Sequence, residues 1–230
     1  NGVSYKRFSD AMKKCGIEIS SVKAIFITHD HSDHIKGLKT LTSKHSIPVY
    51  ALPLTAKKLK ENETVVSEMN PLTESVFIDG MEVSFFKTPH DTEESCGYKI
   101  KTADGKVCSV CTDLGHITEE VDNAIMGSDL VYIEANYDEY MLRNGVYPFY
   151  LKQRILSDNG HLSNADCARE IERLIENGTR RFVSGHLSRN NNTPERAENA
   201  VVGYLLSYKR NCDYILSVAP VETEGECVVF

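Results

Sequence analysis

Apolar positions along this chain fall into two patterns. Short runs bounded by turn formers read as strands at residues 24–27, 48–51, 76–78, 83–88, 97–102, 106–111, 130–134, 181–183, 214–218 and 227–230. Longer stretches read as helices at 4–15, 36–45, 54–60, from Thr118 onward, at 163–175 and from Thr193 onward. Turn chemistry supports several of these. Asp79-Gly80 and Asp104-Gly105 each separate two strand runs, a strong hairpin signal. Glu119 and Glu120 follow Thr118, where the helix dipole favours acids. Ser163 with Asp166 resembles a capping box, Asn177-Gly178 ends that helix, and Pro194 takes the first helical position after Thr193. Strands are paired by hairpins early and alternate with helices later, so the expected class is α/β. With no repeat, low-complexity tract or linker, residues 1–230 read as one domain.

The most informative segment runs from Ile25 to Gly37. His29, His31, Asp33 and His34 lie within six residues, directly after the apolar run at 24–27, and Gly37 lies where a helix begins. An extended backbone alternates its side chains, so His29 and His31 point the same way and can share an ion. Asp33 and His34, at a strand-to-helix turn, reach a second ion. Imidazole with carboxylate suits zinc, manganese or iron. The pattern predicts a two-metal site.

Composition narrows the setting. The net charge of −7 excludes a polyanion binder that works by bulk charge. It leaves room for a nuclease, because divalent ions and a local basic rim can hold phosphate in an acidic protein. No stretch approaches the ~18 apolar residues of a membrane span, and no basic start with an apolar h-region appears. Seven cysteines, an odd and dispersed set, do not form a disulfide framework. Cys108 and Cys111 make a lone CxxC inside a predicted strand and read as core residues. A reducing cytoplasm follows.

Written as THxHxDHxxG after a strand, the 25–37 segment resembles the signature of the metallo-β-lactamase superfamily. That resemblance implies a four-layer αββα sandwich and three further ligands, each after a strand-like run. They are present in order: His90 in Thr88-Pro89-His90-Asp91, Asp113 in Thr112-Asp113, and His186 in Ser184-Gly185-His186. The superfamily fold ordinarily begins with a β-hairpin ahead of the first helix read here. The resemblance therefore implies either a missing N-terminal piece or absent first strands, and the sequence does not decide between them.

Finer similarity points to the YycJ/WalJ group. It is carried by Glu134-Ala135-Asn136-Tyr137-Asp138, Met141-Leu142, Tyr147-Pro148, Leu151-Lys152, Arg154-Ile155 and Gly160-His161-Leu162-Ser163-Asn164. The runs from Thr112 to Thr118 and from Ser184 to Ser188 belong to it too. The resemblance extends over about residues 1 to 200. It implies that His29, His31 and His90 hold one divalent ion, and Asp33, His34 and His186 a second, with Asp113 bridging. Zinc and manganese both fit. The candidate catalytic residues are His161 and Asp33, the latter also a ligand. His161 stands where ribonuclease Z-like members carry a His that protonates or stabilises the departing oxygen. The alternative is a helix-entry His bonded to backbone.

The implied activity is a phosphodiesterase on nucleic acid, a 5′-to-3′ DNA exonuclease with a hydroxide shared by the two ions as nucleophile. DNA is then the partner, with no membrane and no stated oligomeric state. Alternatives are a tRNA 3′-processing ribonuclease, a small-substrate metallo-hydrolase, a di-iron redox protein or a scaffold with a dead site. Arg143, Lys152, Arg154 and Arg189 are candidates for a phosphate path, and Tyr137, Tyr140, Tyr147 and Phe149 for base stacking. His116 reads as a substrate contact or a helix cap, and His45 as a surface residue at a helix end.

Overall fold

Ser4 starts the first helix, its hydroxyl accepting from the Arg7 amide at 3.4 Å. The chain then runs α1 (Tyr5–Lys14), β1 (Ile25–Phe26), α2 (Ser32–Ile35), α3 (Leu38–Lys44), β2 (Val49–Ala51), α4 (Pro53–Glu61), β3 (Met69–Pro71), β4 (Val76–Ile78) and β5 (Met81–Lys87). It continues with β6 (Cys96–Lys101), β7 (Val107–Cys111), α5 (Glu119–Ile125), β8 (Leu130–Glu134), α6 (Glu139–Asn144), α7 (Phe149–Ile155), α8 (Asn164–Glu176), β9 (Arg181–Gly185), α9 (Pro194–Tyr204) and β10 (Ile215–Val218). The structure, a computed structural model, describes residues 2–221 and Val228. The strand expected at 227–230 lies outside the described residues. The contacts divide the chain into two units, Asn1–Phe85 with Thr92–Cys96, and Phe86–Asp91 with Gly97–Phe230.

In the first unit β1, β2 and β3 form a parallel sheet, with Ile25 opposite Val49 and Val49 opposite Met69. Ile27, Leu38, Val49, Ala51, Ala56 and Leu59 make its core, which fixes the sheet against α3 and α4. β4 and β5 form the expected hairpin, with Ile78 opposite Met81. Asp79 and Gly80 both take left-handed angles, φ 52° and 81°, as a two-residue turn of this kind requires. The helix expected at 36–45 is α3, which begins after Gly37, and α2 is a separate short turn ahead of it.

In the second unit the strand order is β10-β9-β8-β7-β6, followed by the last residues of β5. The pairings from β10 to β7 are parallel and β7 with β6 is antiparallel. Parallel strands are buried on both faces, which explains the continuous apolar run of β8. Val131, Ile133, Phe182, Cys167, Ile171, Leu174, Ala197 and Val201 belong to one core between this sheet and its helices. Cys108 and Cys111 sit three apart on β7, so alternation sends them to opposite faces. Burial pushes the Cys108 thiol up to about 11 and Cys111 well above its ordinary value, which removes thiolate chemistry at neutral pH. Among the described residues, no helix is long and apolar enough to cross a membrane.

Phe182, the second residue of β9, is 1% exposed. Phe182→Ala should lower unfolding stability by about 3–5 kcal/mol in a denaturant titration, the usual cost of emptying a large core site.

Candidate metal centre and its hydrogen-bond frame

The first unit supplies the histidine-rich loop. Backbone pairing of β1 continues through Ile27, whose amide donates to the Tyr50 carbonyl at 2.9 Å. The chain then turns through Thr28 into His29, and His31 stands at the N-terminus of α2, which carries Asp33 and His34. His29 is fully buried. Its ring lies 4.6 Å from that of His31 and 4.1 Å from that of His34, centroid to centroid. The Thr28 hydroxyl is 3.0 Å from His29 Nδ1 and 3.2 Å from His34 Nδ1, so one side chain orients two imidazoles. Asp33 is exposed, with Oδ2 3.9 Å from His34 Nε2. Residues 92–96 and α4 hold the loop in place. The Cys96 amide donates to the Thr28 carbonyl at 3.2 Å, the Thr92 hydroxyl to Asp30 Oδ1 at 2.9 Å, and Lys58 pairs with Asp30 at 3.4 Å. Partial burial raises the Asp30 carboxyl, but Thr92 and Lys58 outweigh it and hold it below its ordinary value.

The second unit brings together His90, Asp113 and His186, each just beyond a strand end, and His161, in the loop between α7 and α8. Asp113 Oδ1 lies 3.6 Å from His90 Nε2, 3.5 Å from His186 Nε2 and 3.8 Å from His161 Nδ1. Asp113 and His186 have left-handed backbones, φ 59° and 56°. Such angles are costly for residues with a Cβ and persist where the surroundings over-determine them, commonly at functional sites.

A residue the sequence reading passed over organises this cluster. Glu134, at the end of β8, is fully buried. Its Oε1 accepts from His161 Nδ1 at 2.8 Å and from His186 Nδ1 at 2.7 Å. Its Oε2 accepts from the Leu162 amide at 3.0 Å and the Leu114 amide at 3.4 Å. Burial raises the Glu134 carboxyl, yet His161 and His186 outweigh it and hold it far below the carboxylate range. The same balance acts on His161: burial lowers it, and the Glu134 and Asp113 carboxylates raise it overall. For His90 burial dominates and the imidazole is held below its ordinary value. Glu134 entered the sequence reading only within the run that carries the YycJ/WalJ resemblance and without a role, because an acid closing an apolar strand usually reads as a solvated charge. Thr28, the first residue of the THxHxDHxxG motif, was likewise given no role of its own.

The backbone is shaped to deliver His161. Its amide donates to the Ile155 carbonyl at 3.1 Å, and Ser163 caps α8, accepting from the Asp166 amide at 3.0 Å. A Cβ at Gly160 would stand 2.1 Å from the Ile155 carbonyl oxygen, so glycine is required here. The Gly160 carbonyl accepts from His90 Nδ1 at 3.1 Å. The His161 ring is thus bonded to a carboxylate rather than to backbone. His116 Nδ1 bonds the Asp158 carbonyl at 3.0 Å, and it is Thr118 that caps α5. His45 ends α3 and pairs with the Tyr5 hydroxyl at 3.0 Å.

The donor chemistry fits a divalent ion. His90 and His186 each place Nδ1 on an oxygen acceptor, which puts the lone pair on Nε2. Both Nε2 atoms lie 3.5–3.6 Å from the same Asp113 oxygen. That is the tautomer a metal-binding imidazole adopts when its other nitrogen donates to a carboxylate or carbonyl. Two donors arranged tetrahedrally at ~2.0–2.1 Å from one ion would lie ~3.3–3.4 Å apart, close to these separations. Asp113, Glu134, His161 and His186 together offer ligand-type atoms all within 4.8 Å of one another.

The remaining candidates have mostly local partners. Arg143 pairs with Glu139 at 2.7 Å, Lys152 donates to the Arg143 carbonyl at 2.8 Å, and Arg154 pairs with Asp91. Tyr137 is buried and the Tyr147 hydroxyl accepts from Asn190 at 2.8 Å, whereas Tyr140 and Phe149 are exposed.

Residues 7–187 match the beta-lactamase superfamily domain. The chain is 34% identical over 207 residues to the exodeoxyribonuclease YycJ of Bacillus anthracis, covering 87% of this chain and 77% of the relative. It is 33% identical over 211 residues to the exodeoxyribonuclease WalJ of Streptococcus pneumoniae serotype 2, covering 89% and 78%. Its fold is similar to that of the metallo-beta-lactamase fold protein YhfI from Bacillus subtilis, with a TM-score of 0.68, 16% identity, and coverage of 95% and 82%. The α/β sandwich expected from the signature is therefore the right fold class. The chain belongs to the metallo-β-lactamase superfamily, as a metal-dependent hydrolase of the YycJ/WalJ type.

Proposed function

We propose that this chain is a two-metal phosphodiesterase acting on nucleic acid, a DNA exonuclease working 5′ to 3′ in the cytoplasm. The observation that carries the reading is the convergence of three imidazoles on one oxygen of Asp113, with the buried Glu134 behind two of them. The names of the two relatives, both exodeoxyribonucleases, favour DNA over tRNA 3′ ends. We assign His29, His31 and His90 to one ion, Asp33, His34 and His186 to the other, and Asp113 to both. The mixed nitrogen and oxygen donors suit zinc or manganese alike. The superfamily match runs through both units, which supports reading residues 1–230 as a single domain.

When bound, two divalent ions supply a water acidified towards neutrality and offset the charge that builds on the phosphoryl oxygens. The chain's own residues supply the rest. Glu134 fixes His161 with its Nδ1 hydrogen directed to the carboxylate, so the transferable proton is held at Nε2. The Glu134 and Asp113 carboxylates favour the imidazolium, and His161 Nε2 donates that proton to the departing sugar oxygen. Glu134 likewise orients His186 through Nδ1, and the Gly160 carbonyl orients His90.

Digestion of single-stranded DNA labelled at one end tests the reading. A 5′ label should be released first as a small product while a 3′ label persists in long fragments; the reverse order would overturn the polarity, and no release from either end the nuclease activity. Asp113→Ala should abolish DNA cleavage, whereas near-wild-type turnover would show the residue misassigned. His161→Ala should retain its metal and slow DNA cleavage by ~10²–10⁴-fold. On a p-nitrophenyl phosphodiester, whose leaving group needs no proton, the same change should cost much less. Equal losses would make His161 a phosphate contact. Glu134→Gln should weaken metal retention against a chelator by ~10–100-fold, because an amide keeps only one acceptor oxygen for four donors and loses the charge that orients His186.

A further inference from the structure

His186 carries a backbone that ordinary residues avoid, φ 56°, while its Nε2 lies 3.5 Å from Asp113. Such a backbone persists only where its surroundings over-determine it. The Glu134 bond to the ring does not hold the main chain. The ladder between β8 and β9 runs as far as Gly185, which lies opposite Glu134 and accepts from the Ala135 amide at 2.8 Å. At His186 side chains take over. Its amide donates to the Tyr132 phenol oxygen, and its carbonyl accepts from Asn136 Nδ2 at 2.9 Å. The chain beyond is pinned to the same place, the Ser188 amide donating to the Asn136 carbonyl at 2.8 Å.

Tyr132, Glu134 and Asn136 occupy every second position along β8 and just past it. Alternation puts Tyr132 and Glu134 on the face opposite Val131 and Ile133, which pack in the apolar core. Each of the three side chains takes a different polar group of His186: the amide, the ring Nδ1 and the carbonyl. A single attachment lets a residue pivot. Three attachments on different sides fix its position and its orientation together.

Position 185 is shaped for the phenol. A Cβ at Gly185 would stand 2.0 Å from Tyr132 Oη and 2.3 Å from Cζ, so the ring excludes any side chain there. Gly185 is not among the left-handed glycines, so it is this ring and not an unusual backbone that calls for glycine. We infer that Tyr132 and Asn136 are positioning residues for His186, holding its backbone where the imidazole Nε2 faces Asp113. The inference rests on the assignment of His186 as a metal ligand and adds to it the residues that aim it. Both act through His186 and neither is a ligand.

The test titrates the metal-stripped full chain with zinc against a chromophoric chelator and reads the dissociation constant of each ion. Unfolding midpoints serve as the control for stability. Tyr132→Phe keeps the ring and removes the hydroxyl, and it should weaken one ion by ~10–100-fold while sparing the other. Asn136→Ala should weaken the same ion, which repeats the measurement from the carbonyl side. His186→Ala should weaken that ion too. Adding Tyr132→Phe to His186→Ala should then cost nothing more, because the ring being aimed is gone. A packing role would lower the unfolding midpoint and leave both dissociation constants at their wild-type values. That result, or an equal loss from Tyr132→Phe with and without His186, would overturn the inference and leave the two-metal reading standing. Zinc binding unchanged by His186→Ala would remove His186 from the ligand set, and the inference would fall with that assignment.

Discussion

A carboxylate buried at the end of a central strand needs partners on every side, and Glu134 has them. Removed from water it would cost several kcal/mol unpaired, so the chain meets it with two imidazoles and two backbone amides. Those four donors come from Leu114 after β7, from His161 and Leu162 ahead of α8, and from His186 after β9. A single acid thus fixes the loops after β7 and β9, the two neighbours of its own strand, and the loop ahead of α8. It also sets which nitrogen of each imidazole carries hydrogen. The hydrolytic chemistry assigned to His161 and His186 depends on that choice.

Other parts of the second unit are built to the same end. Asp113 and His186 hold left-handed angles that ordinary residues avoid, and each ends a strand of the parallel sheet. At the cluster this strain falls on the two residues whose side chains turn towards a common point. Gly160 has no room for a Cβ, and its carbonyl fixes His90. In the first unit the Thr28 hydroxyl orients His29 and His34 much as Glu134 orients its pair. Both frames lie one hydrogen bond behind the residues that do the chemistry.

This layering explains what the sequence could and could not reveal. Ligand-type residues announce themselves, because His29, His31, Asp33 and His34 in one short run have few other uses. The two hairpins were legible because Asp79-Gly80 and Asp104-Gly105 suit the left-handed turn positions, including φ 81° at Gly80 and 86° at Gly105. Orienting residues are silent by comparison, since Glu134 and Thr28 are common residue types and the partners that give Glu134 its meaning are distant in sequence. α6 and α7 were illegible as helices, being six and seven residues long with Gly145 and Pro148 between them. Pieces that short show no full amphipathic period. α2 was illegible for the same reason, a four-residue turn ahead of α3 that carries Asp33 and His34.

The central claim is that this ligand set holds two ions. Metal-stripped protein can be titrated with zinc or with manganese, exchanged into metal-free buffer, and its metal-to-protein ratio read by elemental analysis. The account predicts a plateau at two ions per chain. A plateau at one or fewer under saturating metal would contradict it.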